Sequence, residues 1–125
     1  MKLTNEKILS FSNSEVANKK LPVKLAFAIS VNASAVAPAL EAYHRQRKSL
    51  LEKYAEKDGD EFVVENGRYK IEDEKGWLQE IQELLETESD VTITTVPVDV
   101  LEKCDADAFD SLTVKELFEI NFMIK

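Results

Sequence analysis

The feature that most constrains this chain is a thirty-residue run in which apolar and ring-bearing side chains recur every three or four positions. The recurring positions are Leu25, Ile29, Asn32, Val36, Leu40, Tyr43, Arg47, Leu50 and Tyr54. These spacings place the side chains on one stripe of an α-helix. Because Pro38 lies inside the run and removes the hydrogen bond to Ser34, we expect a kink or a break between Asn32 and Pro38.

Two polar side chains, Asn32 and Arg47, interrupt the apolar stripe of this helix. An unpaired buried charge costs several kcal/mol, so we expect Arg47 to meet a carboxylate, an interface or a ligand. One alternative is an internal pair with an acid that follows residue 58. The other is recognition of a small anionic ligand, with Tyr43 or Tyr54 as a stacking surface. The candidate ligand-binding residues are Tyr43, Arg45, Arg47 and Lys48.

The region after the long helix predicts a hairpin and a second amphipathic helix. Asp58-Gly59 is a typical helix terminator. The segments EFVVE and RYKIE flank Asn66-Gly67, a pair that suits a two-residue hairpin turn. The spacing then predicts a helix over Glu74–Glu88 with a wide apolar stripe. Its members are Trp77, Leu78, Ile81, Leu84 and Leu85.

Three further signals complete the predicted fold. Thr4 is suited to cap a first helix, and Thr113 and Glu116 form a capping box before a last one. The β-branched segment Val91–Val96 predicts a strand that Pro97 limits to an edge or an end.

We therefore expect one α+β domain over residues 1–125. Its long helix and amphipathic helices would pack on a small antiparallel three-stranded sheet, and apolar surface left over favours a homo-oligomer.

Charge is distributed unevenly along the chain. The formal net charge is -8; residues 1–57 carry 10 Lys/Arg against 5 Asp/Glu, and residues 58–125 carry 6 against 19. The two halves either pack on each other or present an acidic face to a basic partner, such as a nucleic-acid-binding protein. Net negative charge opposes direct contact with nucleic acid or anionic lipid.

The apolar run Val23–Leu40 is too polar and interrupted to predict a membrane span, and we expect a cytoplasmic protein.

The residues that usually carry catalysis are few. There is one His, one Cys and three Gly, so the sequence offers no Cys-based zinc site, no multi-histidine metal site and no glycine-rich phosphate loop. His44 is expected to be a partly exposed helix residue, and Cys104 a half-buried thiol. We therefore expect no enzyme and no cofactor.

One acidic segment resembles a calcium loop in length only. Asp105, Asp107, Asp110 and Glu116 lie within twelve residues. However, Asp110 occupies the position that needs a glycine, and Phe109 occupies a ligand position. A solvated loop followed by a helix cap explains the segment better, and we predict no metal site.

The order of these pieces resembles a known group of proteins. The segments LPVKLAFAISVNASAVAPALEAYHRQRKSLLEKY, ENGRYKI and WLQEIQELLETESDVTITTV cover roughly Leu21–Val96. They resemble a family of small uncharacterised proteins encoded by tailed phages and prophages of Gram-positive bacteria. The resemblance implies a phage origin. It supplies no activity and no binding residues.

Three functions remain open on this basis. The first is a non-enzymatic accessory protein that binds and blocks a host protein, for which a component of bacterial antiviral defence is a candidate. The second is a structural or assembly component of the phage particle. The third is a protein that sequesters a small ligand such as a nucleotide.

Overall fold

The computed structural model describes residues 1–106 and 108–125, except for the side chain of Asp105. The helices are α1 (Asn5–Ser12), α2 (Val23–Tyr54), α3 (Glu74–Glu86), α4 (Asp99–Glu102) and α5 (Val114–Ile120). The strands are β1 (Lys2–Thr4), β2 (Lys57–Asp58), β3 (Glu61–Phe62), β4 (Val64–Glu65), β5 (Arg68–Tyr69) and β6 (Glu88–Asp90). Short 3₁₀ turns lie at Glu15–Asn18, Lys103–Asp105 and Asn121–Met123.

Helix α2 runs without interruption through Pro38, so the expected break is wrong. Pro38 and Ser34 are both exposed, which lets water satisfy the Ser34 carbonyl that the proline cannot bond. On the opposite face, Ala35, Val36 and Ala39 pack on or within the core. This packing maintains helical geometry where the backbone lacks one hydrogen bond.

The core surrounds the N-terminal half of α2. Leu25, Ile120 and Met123 are fully buried there, and Ile8 and Phe11 of α1 pack beside them. The Thr4 hydroxyl accepts a 3.1 Å hydrogen bond from the Lys7 amide, which confirms the predicted cap of α1. Lys7 also donates to the Phe118 carbonyl and thus connects α1 with α5.

The segment Val91–Val96 is not a strand, because a side chain of α2 takes the place of a partner strand. Asn32 Nδ2 donates to the Thr94 carbonyl at 2.9 Å, and Asn32 Oδ1 accepts from the Thr94 amide at 2.8 Å. Val96 forms only an isolated parallel bridge with Ile124. The fully buried Asn32 therefore fixes this segment against α2.

The α+β class is confirmed, but the strands form three two-stranded antiparallel pairs instead of one three-stranded sheet. Strand β1 pairs with β6, so that Leu3 lies opposite Ser89. Strands β2 and β3 form a hairpin, and β4 and β5 form another around the predicted Asn66-Gly67 turn. Helix α3 ends at Glu86, two residues before the predicted end, because Glu88 belongs to β6.

The two hairpins meet in a closed ring of backbone hydrogen bonds. Glu56 N donates to Lys70 O, Lys70 N donates to Val63 O, and Val63 N donates to Glu56 O, at 2.8 to 2.9 Å. Ala55 and Ile71 bridge at the base of this ring, where α2 ends and the approach to α3 begins. We call residues 55–71 the junction. The ring explains why the predicted long hairpin divides at Val63.

Helix α2 is apolar and long enough to cross a membrane by length and composition. Its most apolar 18-residue window has a mean hydropathy of 1.5, and 28% of that window is buried. The prediction from the sequence underestimated how apolar this run is. Leu25, Ile29 and Val36 of this helix lie in the core, whereas Val23 and Phe27 are 81% and 64% exposed.

Candidate functional site

The predicted ligand-binding residues lie on the C-terminal half of α2 and differ in burial. Tyr43 is buried, whereas Arg45, Arg47 and Lys48 are exposed on the C-terminal half of α2. Arg45 and Arg47 are two residues apart and therefore point in different directions around the helix. The expected burial of Arg47 is wrong, because the stripe of α2 extends past the main core at this point.

None of these cations forms an ion pair within the described residues. The expected internal pair of Arg47 with an acid after residue 58 is therefore not formed there. Beside them, the exposed His44 ring contacts the Tyr43 ring at a centroid distance of 5.4 Å. These residues are therefore solvated cations on different sides of the C-terminal half of α2.

A concave site lies instead between the β4–β5 hairpin and α3. Its volume is about 620 Å³, within the usual range of ligand sites. We call it the cleft. It is lined by Val64, Gly67, Arg68, Tyr69, Ile71, Glu74, Trp77 and Leu78.

Several lining side chains expose apolar surface to solvent. Leu78 is 63% exposed, Val64 is 56% exposed and Tyr69 is 44% exposed. No residue of α3 is buried, although its apolar stripe is as wide as the sequence predicts. An amphipathic helix whose apolar face stays incompletely covered is typical of a surface that another molecule covers.

The hairpin wall of the cleft depends on a tight turn. Asn66 and Gly67 have φ values of 53° and 77°, which the two-residue turn requires and which glycine adopts at little cost. The turn aligns Val64 opposite Tyr69. The Tyr69 ring packs edge-on against Phe62 of the other hairpin at 5.4 Å.

The helical wall is fixed by the N-terminus of α3. Asp73 caps the helix by accepting a 2.9 Å hydrogen bond from the Gly76 amide. A Cβ on Gly76 would clash with the Asp73 carboxylate and lie 3.1 Å from a Tyr54 ring atom, so glycine permits both the cap and the close approach of α3 to the end of α2. Trp77 packs on Tyr54 with ring centroids 6.2 Å apart.

An ion pair joins the two helices just behind the cleft. Both oxygens of Glu80 accept from Lys53 Nζ at 3.2 Å. The Glu80 carboxylate raises the pKa of the Tyr54 hydroxyl and of Lys53, and hydrogen bonding by Tyr54 and then Lys53 lowers the pKa of Glu80. Lys53 is exposed, and Glu80 and Tyr54 are only partly buried, so the pair positions α3 more than it stabilises the fold.

The cleft lies in the part of the chain that carries all of the net charge. Residues 57–90 hold 12 Asp/Glu and 4 Lys/Arg, whereas the rest of the chain holds 12 of each. This segment includes both hairpins, α3 and β6. The cleft lining itself holds one carboxylate, Glu74, and one guanidinium, Arg68.

The acidic segment that resembles a calcium loop falls partly outside the described residues, at Asp107 and at the side chain of Asp105. Asp110 accepts from the Lys20 amide at 2.7 Å, and Glu116 serves the capping box, as predicted. No group of three metal-ligating side chains occurs in the part of the chain that the structure describes. Cys104 is 2% exposed, more buried than expected.

Sequence reasoning missed the cleft because it assigned the apolar stripe of α3 to the core. The sequence carries no signal against that assignment, because an apolar stripe about 100° wide is the ordinary core-facing side of a helix. In the structure Trp77 packs on Tyr54 of α2, whereas Leu78 lines the cleft and is 63% exposed.

The comparisons with known proteins add no relative. No protein-family model, curated protein or solved structure matches the chain.

Proposed function

We propose that this chain is a non-enzymatic accessory protein that binds a partner protein through the cleft. The observation that carries the proposal is the exposed apolar surface of Leu78, Val64 and Tyr69 in a concave site. Central apolar and aromatic side chains within a polar rim are the usual composition of the energetically important part of an interface.

The partner in this proposal is a host protein that the chain blocks, with a bacterial antiviral defence component as a candidate. The support is the resemblance of residues 21–96 to phage and prophage proteins, together with the acidic segment 57–90. A small protein with concentrated charge associates rapidly with an oppositely charged target. The proposal places the chain in the host cytoplasm.

The two other functions have less support. Sequestration of a nucleotide by Tyr43, Arg45, Arg47 and Lys48 requires a cavity that holds the ligand, but these residues do not line the cleft. A role in the phage particle or a homo-oligomer would use exposed apolar side chains elsewhere, such as Phe27 on α2 and Phe118 on α5. These side chains are separate from the cleft lining, which makes the alternatives testable.

The test is affinity purification from the bacterial host with the wild-type chain and two matched variants. Leu78→Asp alters the cleft, and Phe118→Asp alters an apolar residue of similar exposure, 66%, on α5. We expect one host protein to bind the wild type and Phe118→Asp stoichiometrically and to be lost with Leu78→Asp. A partner lost only with Phe118→Asp, or no partner at all, would contradict the proposal.

A further inference from the structure

We infer that two copies of this chain associate through the solvent side of α2, with the two helices antiparallel. This surface is separate from the cleft, and the inference does not depend on the proposed function. Two asymmetries of one helix face carry it, one of side-chain size and one of charge. An antiparallel second copy satisfies both.

The solvent side of α2 changes its character at residue 41. Residues 25–40 include no charged residue, although one side of the helix is exposed along this stretch. We call that exposed side the outer face, formed by Val23, Phe27, Ser30, Ser34, Ala37 and Pro38. Further along α2 the same side carries a charge at every turn, at Glu41, Arg45, Lys48 and Glu52. An exposed helix face is ordinarily charged and polar, so the outer face has the composition of a covered surface.

The outer face is large at one end and small at the other. Val23 is 81% exposed and Phe27 is 64% exposed, whereas the far end presents Ala37 and Pro38. In an antiparallel pair centred between residues 32 and 33, Phe27 of each copy lies level with the small end of the other. Small serine side chains then lie at the crossing, where they permit helix axes to approach to about 8 Å. A parallel pair would place Phe27 against Phe27 and leave both small ends unfilled.

Charges of opposite sign bound the outer face. Lys24 lies beside its first residue and Glu41 follows its last turn, and both are exposed. They are about 26 Å apart along α2, so they cannot pair within one copy. Neither forms an ion pair in the part of the chain that the structure describes. About the same centre, Lys24 of each copy lies level with Glu41 of the other, whereas a parallel pair would bring like charges together at both ends.

The next charge along this side of α2 does not oppose the arrangement. Arg45 would come level with residue 20 of the second copy, where the Asp110 carboxylate accepts from the Lys20 amide at 2.7 Å. Both signs of charge are therefore present at each end of the contact. A shallow crossing of about 20° keeps the whole outer face in contact. One helix face per copy is a small interface, which predicts a dissociation constant of about 1–100 µM.

Other occupants match the outer face less well. The opposite side of α2 is packed in the core through Leu25, Ile29 and Val36, so a bilayer could take up only the outer face. Most side chains of that face are small, and they would contribute little apolar area in lipid. An unrelated helix would need the same order of sizes and charges in reverse. A second copy supplies that order by symmetry.

Sedimentation equilibrium of the full chain up to about 300 µM tests the inference. Phe27→Asp alters the outer face, and Phe118→Asp changes a residue of similar exposure, 66%, on α5. Lys24→Glu, Glu41→Lys and the double variant with both changes test the charge pairs. Glu83→Lys on α3 is their exposed control. Circular dichroism verifies that each variant folds.

We expect a monomer–dimer equilibrium that Phe27→Asp weakens at least about tenfold and that Phe118→Asp and Glu83→Lys change less than about twofold. Lys24→Glu and Glu41→Lys should each weaken it about three- to tenfold, because each brings two pairs of like charges together across the two-fold axis. The double variant should return to within about twofold of the wild type, because it exchanges the signs at both ends. Leu78→Asp should leave the equilibrium unchanged, since Leu78 lines the cleft.

Each other result overturns the inference. A wild type that stays monomeric at about 300 µM would refute it, and so would a dimer that Phe27→Asp leaves intact. A dimer that depends on Phe27 but not on the signs of residues 24 and 41 would refute the antiparallel arrangement. Flotation of the chain with phosphatidylcholine vesicles that Phe27→Asp abolishes would assign the outer face to a lipid surface. A dimer lost with Leu78→Asp would assign the cleft to a second copy and contradict the proposed function as well.

Discussion

Two buried polar side chains determine how irregular segments lie against the helices. Asn32 is fully buried and bonds both backbone groups of Thr94, and Glu116 is 4% exposed and pairs with Lys19. Each replaces a regular backbone partner with a specific side-chain contact. Because buried polar groups are costly when unpaired, such contacts define one arrangement of the chain more sharply than apolar packing does.

Replacing Asn32 with leucine should destabilise the protein by about 2 kcal/mol, because the Thr94 amide and carbonyl then lose their partner. Chemical denaturation measures the change in the free energy of unfolding. Thr94→Ala is the matched control, since Asn32 bonds the backbone and not the side chain of Thr94, and it should cost less than about 0.5 kcal/mol. Equal stability of Asn32→Leu and the wild type would show that this contact does not fix the segment.

The Glu116 carboxylate should make stability depend on pH in the acid range. Burial raises the pKa of Glu116, but the Lys19 ammonium and the Thr113 amide and hydroxyl outweigh it and hold the pKa below its ordinary 4.5. A pKa depressed in the folded state contributes stability that is present above pH 4.5 and is lost as the pH falls through the folded value.

The comparison with Glu116→Gln isolates this contribution. The wild type should be more stable than Glu116→Gln by about 1–3 kcal/mol at pH 7, and the difference should shrink as the pH falls toward 3. Thermal unfolding between pH 3 and 7 follows it. The exposed neighbour Glu15→Gln should show no comparable difference. If the stability difference between the wild type and Glu116→Gln did not change with pH, the charged pair of Lys19 and Glu116 could not be its source.

At the scale of elements, local signals were predictable and pairing was not. The caps at Thr4 and Thr113 and the Asn66-Gly67 turn depend on neighbours within three residues, and all were correctly predicted. The pairing of β1 with β6 joins residues almost ninety positions apart. The prediction that Arg47 is buried was wrong for a related reason. Periodicity shows which residues share a helix face but not how far along the helix the core extends.

Helix α2 gives a direct test at this scale. Pro38→Ala should stabilise the protein by about 1–3 kcal/mol, because alanine restores the backbone hydrogen bond to the Ser34 carbonyl and suits a helix interior. Pro38 is exposed, so the core does not change. Urea unfolding measures the gain, and Ala37→Ser on the exposed face serves as the control. If Pro38→Ala left the urea midpoint unchanged, Pro38 would not destabilise the helix.

At the scale of the whole molecule, the core lies along the N-terminal half of α2 and the cleft lies beyond its C-terminal end. The core cluster surrounds its N-terminal half, whereas Tyr43, Leu51 and Ala55 are buried outside that cluster. A helix of 32 residues is about 48 Å long, so the junction and the start of α3 lie well away from the core centre. The cleft is therefore built on the less buried end of the protein.

This separation predicts a gradient of local stability. Native-state hydrogen exchange should show the highest protection at Ile29, Asn32 and Val36 of α2, where the core is most buried. The ring amides of Glu56, Val63 and Lys70, and α3, which has no buried residue, should exchange at least about tenfold faster. Leu78→Asp should leave protection in the core of α2 unchanged, because Leu78 is mainly exposed. Uniform protection along the chain would instead make the cleft part of one cooperative unit with the core. In that case a partner that binds the cleft would stabilise the whole molecule equally, and no local ordering of the acidic end would accompany binding.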